Sequence, residues 1–188
     1  MIHLILGGAR SGKSSFALKE AELLINEQRL NPVFIATATA SDDEMTARIE
    51  RHKNERGEHW QLIEVPLDLV GELNKASAQD LLLIDCLTLW LNNQLYLRPD
   101  DDPALATQQI TDALNGCQAT VLLIANEVGL GVIPMGEVSR IFVDQAGWLN
   151  QAIGRIADRV TFVAAGLPLN LKSTQSLKDK KSLKGKQS

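Results

Sequence analysis

Cysteine is scarce, with two residues in 188. Cys86 and Cys117 are too few for a disulfide framework or a cysteine-rich metal site, so the expectation is reduced thiols in a cytoplasmic protein. Beside Asp85, Cys86 reads as a small buried hydrophobe rather than a reactive group. The three histidines, His3, His52 and His59, are too scattered to give metal-ligand spacing. No apolar run approaches the roughly 20 residues that cross a bilayer, which excludes a membrane span. The opening apolar stretch meets glycine after six residues, too soon for a signal peptide. Internal repeats and interdomain linkers are missing as well. A basic body is also lacking. Residues 172–188 hold six lysines against Asp179, about +5, and with a net charge of −4 the remainder stands near −9. An acidic body argues against nucleic acid as the main partner.

What is present suits one domain with a sizeable core, since 45% of the residues are hydrophobic. We expect a single nucleotide-binding catalytic domain over residues 1–171. The Lys/Ser-rich segment 172–188 offers only Leu177 and Leu183 for burial and reads as a disordered tail.

The most specific motif lies near the start. Gly7, Gly8, Ala9, Arg10, Ser11, Gly12, Lys13 and Ser14 spell a complete G-x-x-x-x-G-K-[ST] phosphate-binding loop. Glycines let backbone N–H groups close around phosphate oxygens, Lys13 reaches the β- and γ-phosphates, and Ser14 offers a hydroxyl to Mg²⁺. Leu4, Ile5 and Leu6 supply the strand before the loop. The amphipathic segment after it supplies a helix whose positive end faces the anion. The chain is therefore expected to bind a nucleoside triphosphate.

Apolar runs at 2–6, 33–37, 81–85, 121–125 and 160–164 predict strands without in–out alternation, as in a parallel sheet covered on both faces. Helices are predicted at 15–27, 42–56, 67–75, 104–114 and 140–159, with loops at Asn31-Pro32 and Asp102-Pro103. The fold class is α/β, a P-loop NTPase-type three-layer fold with a mostly parallel central sheet between helices. In such sheets ligands bind at the carboxyl ends of the strands. Asp85 stands there, closing the run Leu81-Leu82-Leu83-Ile84, where a carboxylate holds Mg²⁺ or orients a nucleophilic hydroxyl. Thr88 fits a phosphate contact or a helix cap, and the cap is favoured.

Ser41-Asp42-Asp43-Glu44 is a capping-box pattern. In the helix it opens, Arg48, His52 and Arg56 share one side, with Arg51 and Lys53 adjacent in sequence. Neighbouring cations disfavour a protonated imidazole, leaving a neutral, nucleophilic ring. Spacing alone leaves two readings open: an exposed histidine among solubilising charges, which it favours, or a nucleophile whose cationic neighbours hold triphosphate oxygens.

Taken together, these segments resemble the bifunctional adenosylcobinamide kinase/adenosylcobinamide-phosphate guanylyltransferase family of cobalamin biosynthesis. The resemblance runs from residue 1 to about 172. It rests on the phosphate loop, Ile35-Ala36-Thr37-Ala38, and Asp42-Asp43-Glu44-Met45 leading to Arg48-Ile49 and His52. It continues with Asp85-Cys86-Leu87-Thr88-Leu89-Trp90-Leu91, Asn126-Glu127-Val128-Gly129-Leu130-Gly131, Arg140-Ile141-Phe142-Val143-Asp144, Gly147, Asn150-Gln151 and Ala165-Gly166-Leu167-Pro168.

The resemblance implies phosphorylation of adenosylcobinamide by ATP or GTP, then transfer of GMP from GTP to the product through a guanylyl-histidine. His52 matches the nucleophile, with Lys13 and Asp85 completing the catalytic set, and Ser14 and Asp85 matching the Mg²⁺ positions. Ala36, Thr37, Ala38, Lys53, Asn54, Glu55 and Arg56 match nucleotide-contacting segments. Glu64 and Asp85 match acidic positions around the nucleotide, and Glu64 is the candidate to accept from N1 and N2 of guanine. Asn126-Glu127-Val128-Gly129 reads either as a contact to corrinoid or metal or as a helix-start turn. Some relatives carry Glu at the place of Asp85 and a second histidine at that of Arg51. A homotrimer is implied too. The rival readings are another P-loop small-molecule kinase without a covalent intermediate, and a nucleotide-driven switch. The switch lacks a recognisable water-positioning residue.

Overall fold

The computed structural model describes residues 1–38 and 59–173. In chain order its elements are β1 (Ile2–Gly7), α1 (Lys13–Gln28), β2 (Asn31–Ala36), β3 (Gln61–Glu64), α2 (Leu69–Lys75), β4 (Asp80–Asp85), α3 (Leu87–Leu97), α4 (Pro103–Gly116), β5 (Thr120–Asn126), α5 (Glu137–Ile156), β6 (Arg159–Ala164) and β7 (Leu167–Ser173). The strands form one sheet in the order β3-β2-β4-β5-β1-β6-β7. All neighbours are parallel except β6 and β7.

Strands apolar on both faces need two covers, and they have them. On one face α1 buries Ala17 and Ala21 against Ile5, Leu83, Leu122, Ile124 and Val163. On the other, Leu69 and Leu73 of α2, Trp90 and Leu91 of α3, Ile110 of α4 and Leu149 and Ile153 of α5 pack on Leu4, Ile35, Ile84 and Leu123. The three-layer, mostly parallel expectation holds.

Three elements go beyond the sequence reading. β3 is a short edge strand whose residues are largely exposed. The segment after Asp85 folds as α3. β7 returns antiparallel through a tight turn in which Ala165 (φ 51°) and Gly166 (φ 77°) are both left-handed, a geometry that matches strand twist. Lys172, expected to begin the tail, is the penultimate residue of β7, and its ammonium donates to the carbonyls of Gly154 and Arg155 at 3.1 and 2.8 Å. Asn31-Pro32 opens β2 instead of forming a loop, a position at a strand start that tolerates proline. Asp102 caps α4 by accepting from the Ala104 amide at 2.9 Å, with Pro103 in the first turn. The helix predicted at 42–56 and the tail residues 174–188 lie outside the described residues.

Candidate active site

Strand register brings the chemistry to one edge. Gly7 of β1 stands beside Asn126 of β5, Asp85 of β4 beside Ile124, and Ala36 of β2 beside both Asp85 and Glu64. Side chains alternate along a strand. Because Ile124 and Leu83 point to the α1 face, Asn126 and Asp85, two residues on, point there as well. Ala36 packs on that face. Ile63 packs on the other, so Glu64, exposed on the edge strand, faces the α1 side. Four strand ends thus present Glu64, Ala36, Asp85 and Asn126 in a row beside the phosphate loop.

The root of the loop is shaped by a backbone contact that leaves no room for a side chain at Gly7. A Cβ on Gly7 would lie 2.5 Å from the Val163 carbonyl oxygen. Arg10 (φ 56°) and Gly12 (φ 92°) both take left-handed conformations, curling the chain into a concavity of the kind that binds anions. Gly8 accepts from the Ser11 amide at 3.3 Å and from Nζ of buried Lys13 at 3.1 Å. Gly12 caps α1 without a side-chain bond, and the first turn carries no acidic residue. The positive end of the helix dipole thus faces the loop, where it favours a negatively charged ligand. Ser14, half-buried, lies in that first turn, while Ala9 and Arg10 are exposed at the loop tip.

Thr37 organises the neighbouring strand end from within the protein. It is fully buried; its hydroxyl donates to the Cys86 carbonyl and accepts from the Cys86 amide, both at 2.8 Å. Its amide donates to the Asp85 carbonyl at 3.1 Å and its carbonyl accepts from Asn93 at 2.9 Å. The residue clamps the Asp85-Cys86 segment, whereas Ala38 beyond it is only half-buried. Burial first, and the Asp85 charge second, push the Cys86 thiol up to about 11. It stays protonated at neutral pH, a packing residue as expected from sequence.

Thr88 is not the helix cap expected from sequence. Cys86 caps α3 with no side-chain bond, and the Thr88 hydroxyl accepts from the Asn126 amide at 2.6 Å. The next amide, of Glu127, donates to the Gly7 carbonyl at 3.1 Å. Asn126-Glu127-Val128-Gly129 does not start a helix, since α5 begins at Glu137. Glu127 closes a local turn by accepting from the Gly129 amide at 2.7 Å. Sequence reasoning left out this tie between Asp85's helix and the phosphate loop, because its two ends lie 38 residues apart. It also left out the contact of the β6–β7 turn with the loop.

The remaining described histidines are structural. Buried His3 shares a 2.9 Å hydrogen bond with Thr161, and burial, with Arg159 nearby, lowers its pKa to about 4. His59 pairs with Glu22 at 3.1 Å. Among the described residues no group of three His, Cys, Asp or Glu side chains forms a metal cage. The Ser14 hydroxyl and Asp85 carboxylate are hard oxygen donors at the phosphate end. That donor set fits Mg²⁺, which takes one or two protein oxygens and fills its other positions from phosphate and water. His52, Lys53, Asn54, Glu55 and Arg56 lie outside the described residues. No described helix is long and apolar enough to cross a membrane.

The chain is similar to known proteins over most of its length. The family model for cobinamide kinase / cobinamide phosphate guanyltransferase matches residues 3–171. The bifunctional adenosylcobalamin biosynthesis protein CobP of Pseudomonas aeruginosa is 48% identical over 92% of this chain and 98% of its own. The bifunctional adenosylcobalamin biosynthesis proteins CobU of Salmonella typhimurium and Escherichia coli are 37% and 36% identical, over 92% of this chain and 100% of theirs. The crystal structure of the flagellar accessory protein FlaH from Methanocaldococcus jannaschii superposes with a TM-score of 0.52 at 12% identity, covering 92% of this chain and 78% of that one. That likeness bears on the fold alone.

Proposed function

This chain belongs to the cobinamide kinase / cobinamide phosphate guanyltransferase family, and on that premise we propose how its residues divide the two reactions. It is a bifunctional kinase and guanylyltransferase of cobalamin biosynthesis. In the first reaction the aminopropanol hydroxyl of adenosylcobinamide attacks the γ-phosphorus of ATP or GTP. The bond from that phosphorus to the β–γ bridging oxygen breaks, the hydroxyl proton leaves, and a nucleoside diphosphate is released. Residues 7–14 and the start of α1 cradle the phosphates, and Lys13 neutralises charge on the β- and γ-groups. Ser14 and Asp85 would hold Mg²⁺, which supplies further charge neutralisation when bound.

In the second reaction the His52 imidazole attacks the α-phosphorus of GTP, forming an N–P bond as the P–O bond to pyrophosphate breaks. A phosphate oxygen of adenosylcobinamide phosphate then attacks the same phosphorus, freeing His52 and giving adenosylcobinamide-GDP. Arg48, Arg51, Lys53 and Arg56, close to His52 in sequence, supply positive charge for the departing pyrophosphate. Ala36, Thr37, Ala38, Lys53, Asn54, Glu55 and Arg56 line the nucleotide, Thr37 through its hold on Asp85-Cys86. Glu64 accepts from the guanine edge. The observation that carries this reading is the row of Glu64, Ala36 and Asp85 on the α1 face beside the phosphate loop.

We further infer a homotrimer working in the cytoplasm. In support, Leu130, Val132, Ile133, Met135 and Val138 are exposed around the start of α5, as are Leu167, Leu169 and Leu171 on β7. Both cysteines are unpaired, as in a reducing compartment.

The test is incubation with Mg²⁺ and GTP labelled at the α-phosphorus, followed by denaturing electrophoresis of wild type beside His52→Ala. An acid-labile, alkali-stable label on wild type alone supports the phosphoramidate. Active, folded wild type that takes no label would leave a P-loop kinase with no covalent step.

A further inference from the structure

Glu64 is presented by the least supported strand of the sheet. β3 is four residues long, largely exposed, and paired on one side only among the described residues. Burial within such a strand sets its register loosely, yet a slip of one residue would turn Glu64 to the wrong face. The residues that flank the strand do the holding. Val65, past its exit, is buried on the face away from α1, and its amide donates to the Ala36 carbonyl at 2.8 Å. Trp60, before its entry, is buried on the α1 face.

At Trp60 the helix takes hold of the strand. The indole meets the Phe34 ring of β2 edge to face, with centroids 6.3 Å apart. Its N–H donates to Glu22 Oε1 on α1 at 2.8 Å, and His59 Nε2 lies 3.1 Å from the same oxygen. A buried indole needs a partner for its N–H, and Glu22 supplies one. Side chains two and four residues on share the face of Trp60, so the contact that seats Trp60 against α1 also turns Glu64 toward that side. Glu22 stands on the helix that opens with Lys13 and Ser14. One rigid element thus reaches both the phosphate end and the strand offered to the guanine edge.

We propose that Glu22 is a positioning residue for guanine selectivity: through Trp60 it holds the register of β3, and with it the Glu64 carboxylate. The inference rests on the reading of Glu64 given above and deepens it. Glu22 touches no nucleotide itself; the indole and the strand carry its effect. Its loss should therefore cost discrimination between bases and leave the phosphate contacts in place.

The experiment measures affinity for non-hydrolysable GTP and ATP analogues, each with Mg²⁺, alongside thermal unfolding. Wild type is compared with Glu22→Ala, Glu22→Gln, Trp60→Phe and Glu64→Ala. Glu64→Ala should lose about tenfold or more of the preference for GTP, as for hydrogen bonds to a charged group. Glu22→Ala should lose about three- to tenfold of it, with affinity for the ATP analogue within about twofold of wild type. Trp60→Phe keeps a ring against Phe34, deletes the N–H, and should match Glu22→Ala. Glu22→Gln keeps an acceptor for the indole and should restore the preference to within about twofold of wild type. A ratio unmoved by Glu22→Ala, or a Glu22→Gln no better than Glu22→Ala, overturns the proposal. Equal losses for both analogues, the mark of a merely structural tie, overturn it too. In each of those cases a ratio shifted by Glu64→Ala leaves the guanine contact standing. A ratio unchanged in Glu64→Ala would instead overturn that contact, and the role of Glu22 with it.

Discussion

Gly166 donates its backbone N–H to the Ser11 carbonyl at 2.8 Å. Through this bond the turn between the last two strands braces the phosphate loop from outside. The approach is close enough that a Cβ on Gly12 would lie 3.1 Å from the Gly166 Cα, on a residue whose φ is already +92°. Gly12→Ala should therefore cost about 1–2 kcal/mol from the left-handed backbone alone and weaken triphosphate binding by roughly tenfold or more. Gly166→Asn, whose side chain tolerates that region, should stay near wild type. Calorimetry and nucleotide titration of the two variants check both statements.

Lys13→Ala removes the ammonium that lies over the loop. Phosphorylation of adenosylcobinamide should fall by at least about 10²-fold, the usual cost of losing a donor to a charged transition state. A discontinuous assay of the phosphorylated product, on protein shown to be folded, reads this directly. Retained turnover would remove Lys13 from the mechanism.

His3 predicts an acid-sensitive fold. Its pKa, lowered to about 4 by burial and by Arg159, compares with about 6.5 in the unfolded chain. Between those values the unfolded state binds the extra proton, so stability is complete above about pH 6.5 and falls as pH drops toward 4. The loss over that window is roughly 3 kcal/mol. Urea titrations at pH 7 and pH 4.5 should show it for wild type, and His3→Gln should remove that part of the slope. A slope unchanged by the substitution would assign the acid sensitivity to other groups.

Thr88→Val keeps the shape of the side chain and deletes the acceptor for the Asn126 amide. Leaving that amide unpaired should cost about 1–3 kcal/mol, read as a fall in unfolding midpoint. Removal of residues 174–188, beyond β7, should alter neither reaction rate, and a large loss in either assay would give the lysine-rich end an active part.

Much of the frame was legible because parallel strands announce themselves as unbroken apolar runs. Asp85 could be placed at a strand end for the same reason. α3 was hidden by its own composition: Leu87, Leu89, Trp90, Leu91 and Leu95 surround the helix, so no 3.6-residue stripe distinguishes it from a longer buried run. β7 carries a period-two signal in Leu167, Leu169 and Leu171, but the lysines that follow mask it. Its turn also uses Ala165, a residue with little preference for positive φ. The ties from Thr88 to Asn126 and from Ser11 to Gly166 join segments far apart in sequence and have no local signature at all. Thr37 is the instructive case at the site. Its position was legible, but only the packed structure shows its polar groups turned inward onto Asp85, Cys86 and Asn93.

β1 pairs with β5 and β6, and with no strand near it in sequence. On a growing chain the nucleotide motif therefore emerges before either strand that flanks it. Both of those strands, and the turn at Ala165-Gly166 that braces the loop, are made more than 100 residues after it. Loop closures of this length are slow. Nucleotide capture should thus appear late in synthesis, and ribosome-bound chains halted before β6 should fail to retain GTP.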